Sequence, residues 1–316
     1  MMNQEKLKGH LLILAANILF AINMPVSKYL LPEHVQPEAL TSMRMSFACV
    51  MFWITSLFVP YEKVPLKDLG LLCLCALCGV GLNQGLFIWG LNTTSPVDAS
   101  IIATAVPIFV MILAALILKE PITRMKTFGV LLGICGAISL ILQSTQGSNQ
   151  ASSLGGNLLI TVSGFMYSIY LVVSKPLTLK YSSVTMMKWM FLFAAVAAVA
   201  IYYRPLAGVD YAALAPRTWA GIGYVVVCST FLSYFMVPIG QRYLRPTVVS
   251  MYNYVQPLVA VLFTVTVGLD TFGFTKGVAA LCVFAGVWLV TKSKSRAQLD
   301  AERAAAGQAP ENRPRA

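Results

Sequence analysis

Amide, phenol and hydroxyl side chains recur along this chain inside stretches that are otherwise apolar. They are Asn17 and Asn23, Asn83 with Gln84, and Ser100 with Thr104. Further on come Ser163, Tyr167, Ser168 and Tyr170, then Ser229, Ser233 and Tyr234, and finally Ser250, Asn253, Tyr254 and Gln256. Such groups donate and accept hydrogen bonds while staying uncharged near neutral pH. Their chemistry is recognition of a polar solute rather than bond-making. The candidate binding residues are Asn17, Asn23, Asn83, Gln84, Thr104, Tyr167, Tyr170, Tyr234, Asn253, Tyr254 and Gln256. The competing role is helix-to-helix adhesion, worth ~0.6–2 kcal/mol per bond. Ser250, Asn253 and Pro257 at i, i+3 and i+7 fall on one face of a helix.

Two cations lie near the same stretches. Arg44 and Lys188 each suit an anionic solute group or a gate, or else a snorkelling cation at a membrane interface. Pro25 is expected to break the first helix. Pro107 and Pro257, in the middle of their stretches, are candidate hinges, because each removes a helix hydrogen bond. Reaction chemistry finds no support. The two histidines, His10 and His34, are peripheral, and there is no HExxH, no paired intramembrane acid and no GxxxxGK[ST]. The seven cysteines lie in apolar stretches and read as buried, reduced thiols; Cys75 and Cys78 have no second pair or histidine nearby to complete a zinc site. Neither an enzyme nor a cofactor or metal site is expected.

The elements that must position these residues follow from composition. Hydrophobic residues make up 58% and charged residues 11% of the 316. Soluble domains carry about a quarter charged residues. Lipid must therefore be the solvent for most of the surface, and irregular chain cannot face it. A bilayer core of about 30 Å asks for ~20 apolar residues per helix. Ten such stretches are present: 9–29, 38–59, 67–91, 97–118, 124–142, 155–174, 183–203, 217–240, 247–267 and 274–292. The expected fold is an all-α integral membrane protein of ten transmembrane helices. Spans 1, 3, 4, 6, 8 and 9 carry most of the polar residues and should line a central cavity, with the others outside as scaffold. The net charge of +11 marks a membrane face, not a nucleic-acid partner.

The chain is also duplicated. Pro96 and Pro246, Pro107 and Pro257, Glu120 and Asp270, Lys126 and Lys276, and Gly136 and Gly286 all stand 150 residues apart. Upstream, Ser27-Lys28 aligns with Ser174-Lys175, and Arg44 with Lys188. Five spans per half is odd, so the second half must enter the membrane inverted, as in many secondary transporters. With both termini placed in the cytoplasm, 17 of the 23 Lys and Arg residues lie inside and three outside, which favours that orientation. The units are 9–142 and 155–292, joined by an uncharged connection and followed by a basic tail, 293–316, expected to be disordered.

These features together resemble the drug/metabolite transporter superfamily, specifically its ten-span EamA-type permeases. The residues that carry the resemblance are Arg44, Pro96 and Pro107, Glu120-Pro121, and Gly129, Gly133 and Gly136. The second unit answers with Pro246, Pro257, Asp270, and Gly277 to Gly286. It departs at Asp270, which no proline follows, and at Lys188 in place of Arg44. The resemblance implies a small-molecule carrier, often an exporter of amino acids or other metabolites. An uncharged, amide-rich and aromatic cavity suits a neutral or zwitterionic solute; a drug efflux carrier and a non-transporting membrane protein are the alternatives. The expected partners are the substrate and the lipid bilayer, in the inner membrane, as monomer or homodimer.

Overall fold

The computed structural model describes residues 4–31, 34–94, 96–143, 153–266, 274–294 and 298–299. Asp270, most of the connection between the halves and almost all of the C-terminal tail lie outside the described residues, as do the side chains of Ser100 and Lys276. The described residues form helices and short connections, with no strand among them.

In chain order the helices are α1 (Gln4–Leu30), α2 (Pro37–Ser56), α3 (Leu66–Ala76) and α4 (Asn83–Thr93), the last two joined by a π-helical turn at Leu77–Leu82. Next come α5 (Pro96–Ala103), α6 (Val106–Ile117), α7 (Arg124–Gln143), α8 (Leu154–Val173), α9 (Lys175–Lys180) and α10 (Ser183–Ala207). A second π-helical stretch, Tyr224–Leu232, joins α11 (Pro216–Gly223) to α12 (Ser233–Tyr243). The chain ends with α13 (Pro246–Met251), a 3-10 turn at Tyr252–Tyr254, α14 (Val255–Thr266) and α15 (Phe274–Lys292). Among the described residues, five continuous helical runs are long and apolar enough to cross a membrane: Gln4–Leu30, Leu66–Thr93, Leu154–Lys180, Ser183–Ala207 and Pro216–Tyr243. Ile101–Ile117 and Gly277–Lys292 are shorter and apolar.

Local chemistry sets the ends. Proline at the first helical position opens α2, α11 and α13, where its missing N–H is not needed. Ser153 and Ser182 cap α8 and α10 through their hydroxyls. Lys119 ends the α6 segment in the left-handed region (φ 55°), and the Glu120 N–H closes back on the Ala114 carbonyl. Pro25 does not break α1, which runs through it to Leu30. Neighbouring turns keep their own bonds, so one lost bond leaves the helix intact.

Packing repeats by exchange between the halves. The α4 glycine Gly90 sits against Ile160 and the Gly156 carbonyl of α8, and Gly240 of α12 sits against Ile13 and the Gly9 carbonyl of α1. Each half thus lays its first helix on the third apolar stretch of the other. On one flank α7 and α15 run antiparallel at backbone contact: a methyl group on Gly286 would lie 2.6 Å from the Gly129 carbonyl, and one on Gly136 would lie 2.6 Å from that of Ala279. Small residues allow this approach where no hydrophobic force drives helices together in lipid. On another flank Phe52 stacks on Phe191 and Trp53 meets Trp189 edge-on, joining α2 to α10. Large apolar side chains such as Leu116, Leu131, Ile201, Leu281 and Trp288 remain exposed on the outside of the bundle.

The expectation that spans 2 and 7 are peripheral needs correction. Of the five long apolar runs, that of α10 is the most deeply buried, and α2 packs against it and buries Arg44. The thiols are free, as expected, but Cys73 and Cys135 are exposed on the bundle surface rather than buried.

Candidate substrate site

Both π-helical stretches contribute to one cluster of buried polar side chains. A π turn opens the helix and frees backbone groups, and such turns concentrate at functional sites. The Gly79 carbonyl, inside the first π turn, accepts the Tyr234 hydroxyl at 2.8 Å. Gly79 has no room for a side chain because the Tyr170 ring covers it; an added Cβ would lie 2.3 Å from Cγ of that ring. Thr230, inside the second π stretch, accepts the Arg44 Nε–H at 2.9 Å and donates its own hydroxyl to the Val225 carbonyl. Asn83 donates from Nδ2 to the carbonyl and hydroxyl oxygens of Ser163, both at 3.0 Å, and the Ser163 hydroxyl donates back to the Asn83 carbonyl. Tyr167 lies beside Tyr170, ring centres 5.8 Å apart. Phe20 and Phe191 meet the Tyr234 ring edge-on.

Not every polar atom in this cluster is satisfied. Both amide atoms of Gln84 are buried without a hydrogen bond, although the side chain lies beside the Tyr234 hydroxyl. The Tyr170 hydroxyl and the Ser229 hydroxyl are likewise buried and unpartnered. A buried polar group without a partner costs about 1–3 kcal/mol, so these atoms mark a place where a polar ligand would gain most.

The remaining candidates separate from that cluster. Asn17 and Gln256 are brought together: Gln256 Nε2 donates to Asn17 Oδ1 at 2.9 Å, joining α1 to α14. Tyr254 donates to the Thr104 carbonyl at 3.1 Å and packs over Gly133. Asn23 accepts from Ser27 within α1. The Asn253 side chain is half-buried and makes no hydrogen bond among the described residues, while its carbonyl accepts from the Val255 N–H. The single face expected for Ser250, Asn253 and Pro257 is not continuous, because the 3-10 turn at Tyr252–Tyr254 rotates the chain between them.

The prolines act differently from the expectation of a lost mid-helix bond. Each stands at the start of a new helix. Pro107 is the second residue of α6, after a turn at Thr104 and Ala105; Pro257 is the third of α14, after the 3-10 turn. There its missing N–H costs nothing, because the first turn has no intrahelical acceptor for it. Both halves thus break at equivalent points, one turn before the proline.

Lys188 lies apart from Arg44's cluster. Its ammonium sits over the Trp53 and Tyr61 rings at 5.3 and 5.8 Å, near Glu62. Glu62 accepts from the Ser182 N–H and hydroxyl at the start of α10. Burial pushes this carboxyl up, but the hydrogen bonds from Thr185 and Ser182, with the Lys188 charge, hold it below the usual carboxylate range.

One device, a matched pair of lysine clamps, went unread in the sequence. Lys28 donates to the carbonyls of Leu91 (2.9 Å) and Thr94 (3.3 Å), at the end of α4. Lys175 does the same at the end of α12, on Gln241, Arg242 and Leu244. A cation at a helix C-terminus satisfies orphan carbonyls and complements the dipole. Glu120 pairs with the buried Lys126 at 2.9 Å and also accepts from Thr247 at 2.9 Å, tying the end of α6 to the start of α13. The sequence aligned the two lysines but gave no sign of their acceptors, which are backbone atoms distant in the chain.

The model for the EamA-like transporter family matches residues 7–142 and 154–292. A transporter of Bacillus subtilis, named YetK and described as uncharacterized, is 22% identical over 296 residues, covering 92% of this chain and 89% of its own. An uncharacterized transporter of Archaeoglobus fulgidus is 25% identical, over 90% of this chain and 97% of its own. A solved structure titled "Crystal structure of protein" superposes with a TM-score of 0.71 at 15% identity, over 95% of this chain and 98% of its own.

Proposed function

The chain belongs to the EamA-like transporter family, and from that membership we propose that it is a secondary transporter exporting a small neutral or zwitterionic metabolite, amino acid-like in character, across the inner membrane. It is an all-helical, multi-pass membrane protein. In this reading it has ten spans in two inverted five-helix units, 9–142 and 155–292, with both termini cytoplasmic. The units exchange inward-open and outward-open states around a site near the membrane midplane.

One observation carries the reading: the halves hold the same contacts with their roles exchanged. Lys28 of the first half and Lys175 of the second each clamp the far end of the helix that their own half's third apolar stretch forms. Gly90 and Gly240 each receive the first helix of the other half. Equivalent contacts at equivalent positions give two rearranged states of similar energy, which alternating access needs. The substrate-facing groups are the cluster around Gln84, Tyr170 and Tyr234, with Asn17 and Gln256 on the adjoining helices.

The test is counterflow in proteoliposomes. Vesicles loaded with an unlabelled neutral amino acid should accumulate the labelled one transiently. Asn17→Ala and Gln256→Ala should each slow this severalfold while the purified protein stays folded. Protein-independent flux across a panel of amino acids and nucleosides would sink the reading.

A further inference from the structure

Arg44 is a buried cation with almost nothing to hold. It is 3% exposed, and among the described residues its side chain makes one hydrogen bond, from Nε to the neutral Thr230 hydroxyl. Guanidinium carries five N–H donors and stays protonated in proteins. Leaving such a charge uncompensated in a membrane interior is costly, so a native arginine there normally meets an acid, carbonyls or water. The elements packed against α2 are α10, α4 and the π-helical stretch of residues 224–232. None of them contains Asp or Glu; the acid of α2 itself, Glu38, lies in its first turn. The π-helical stretch that holds Thr230 leads into α12 and its buried Tyr234, whose hydroxyl donates to the Gly79 carbonyl at 2.8 Å.

Arg44 does not stand alone. The Gln84 amide is buried and forms no hydrogen bond of good geometry, with the Tyr234 hydroxyl the group it faces, and the Tyr170 hydroxyl is buried and unpartnered on the ring that covers Gly79, whose carbonyl accepts from Tyr234. The rings of Phe20 and Phe191 close on Tyr234 from two sides. A guanidinium with open donors, an amide offering donor and acceptor, a free phenol and apolar rings converge between α2, α4, α8 and α12. We propose that Arg44 anchors the carboxylate of the transported solute, with Gln84 and Tyr170 binding its neighbouring polar group. The cargo is then a small carboxylic acid with an apolar body, zwitterionic or singly anionic. A cationic solute meets Arg44 with like charge and no acid to compensate. This deepens the transport reading above and rests on it for the word cargo, though not for the binding.

The experiment is thermal unfolding of the purified full chain in detergent. The probes are acetate, phenylacetate, L-leucine and L-phenylalanine, each against its uncharged or amidated counterpart, at about 10 mM. At least one acid should raise the melting temperature by several degrees while its amide does not. Arg44→Gln should abolish that shift, and Arg44→Lys should keep a reduced one, because the charge remains but the two-pronged geometry is lost. Without ligand, Arg44→Gln should melt at or above the wild-type temperature, since an uncompensated buried charge has been removed. The proposal is overturned if no acid shifts the protein, if acids and amides act alike, or if the shift survives Arg44→Gln. It is also overturned if ligand-free Arg44→Gln melts well below wild type, which makes the arginine structural. Counterflow separates this failure from that of the transport reading. Flux undiminished in Arg44→Gln removes the anchor and keeps the carrier; Arg44-dependent binding without flux does the reverse.

Discussion

Lys28 and Lys175 occupy matching places in the two halves and do the same thing. Arg44 and Lys188 also stand at matching places in the sequence, and they do different things. The first pair clamps helix ends, each through its ammonium on backbone carbonyls of a helix in its own half. In the second pair, Arg44 is sealed among tyrosine, threonine and an unpartnered amide, whereas Lys188 lies over Trp53 and Tyr61 near Glu62. Where the duplicate halves agree, the residues hold the frame. Where they diverge, Arg44 is the residue that the proposal above assigns to recognition. In the proposed alternating-access cycle, a symmetric frame would let two states interconvert, whereas an asymmetric solute would need a site that is not duplicated.

The largest effect should come from breaking the frame at its tightest contact. Gly286→Ala places a methyl group 2.6 Å from the Gly129 carbonyl and 2.8 Å from the Gly133 nitrogen. Backbone cannot yield as a side chain can, so the α7–α15 seam should lose at least about 1–3 kcal/mol. Gly85→Ala meets nothing closer than 4.0 Å and should be neutral. Melting temperatures of both variants in one detergent check the contrast, and equal behaviour would mean the seam can spread.

Next in size are the clamps. Lys175→Met removes a charged donor from three carbonyls, and Lys28→Met from two. Bonds to a charged group are worth about 1.5–3 kcal/mol when buried, but both lysines are half-buried and solvent-screened, so each variant should lose about 1 kcal/mol in all. Both variants should destabilise, Lys175→Met more. An unchanged Lys28→Met would show that the frame is not symmetric in energy even where it is in contacts.

The smallest effect is titratable and belongs to the divergent pair. The Glu62 carboxyl is held below its usual range in the folded protein. Its contribution is therefore fully present above the ordinary carboxylate range and is lost as pH falls through the lowered value. It amounts to roughly 0.5–1 kcal/mol, for a partly exposed acid at a helix N-terminus. The stability gap between wild type and Glu62→Gln should be open at neutral pH and should close as pH falls below the ordinary carboxylate range. A gap that widens on acidification would reverse the sign and remove Lys188 and Ser182 as its partners.

The all-helical membrane character, the duplication and the family were legible in the sequence, because each is written in local terms. Apolar length, helix-opening prolines and constant spacing do not depend on what a helix touches. The candidate polar residues were legible as a set, but not their sorting. Asn17 with Gln256, Tyr254 with the Thr104 carbonyl, and Arg44 with Thr230 are partners 239, 150 and 186 residues apart. Such pairs are fixed by which helices lie side by side. In lipid that choice rests on close backbone contact between small residues, such as Gly129 against Gly286 and Gly90 against Gly156. The π-helical stretches had no sequence signal either, since Tyr224–Leu232 is an ordinary apolar run. What the sequence determined was the number of apolar pieces, their punctuation and the inventory of polar groups. Tertiary structure alone decided which of those groups satisfy one another and which, at Arg44, Gln84 and Tyr170, are left open. Hydrogen-bond satisfaction is a property of neighbours in space, and the neighbours here come from opposite halves of the chain.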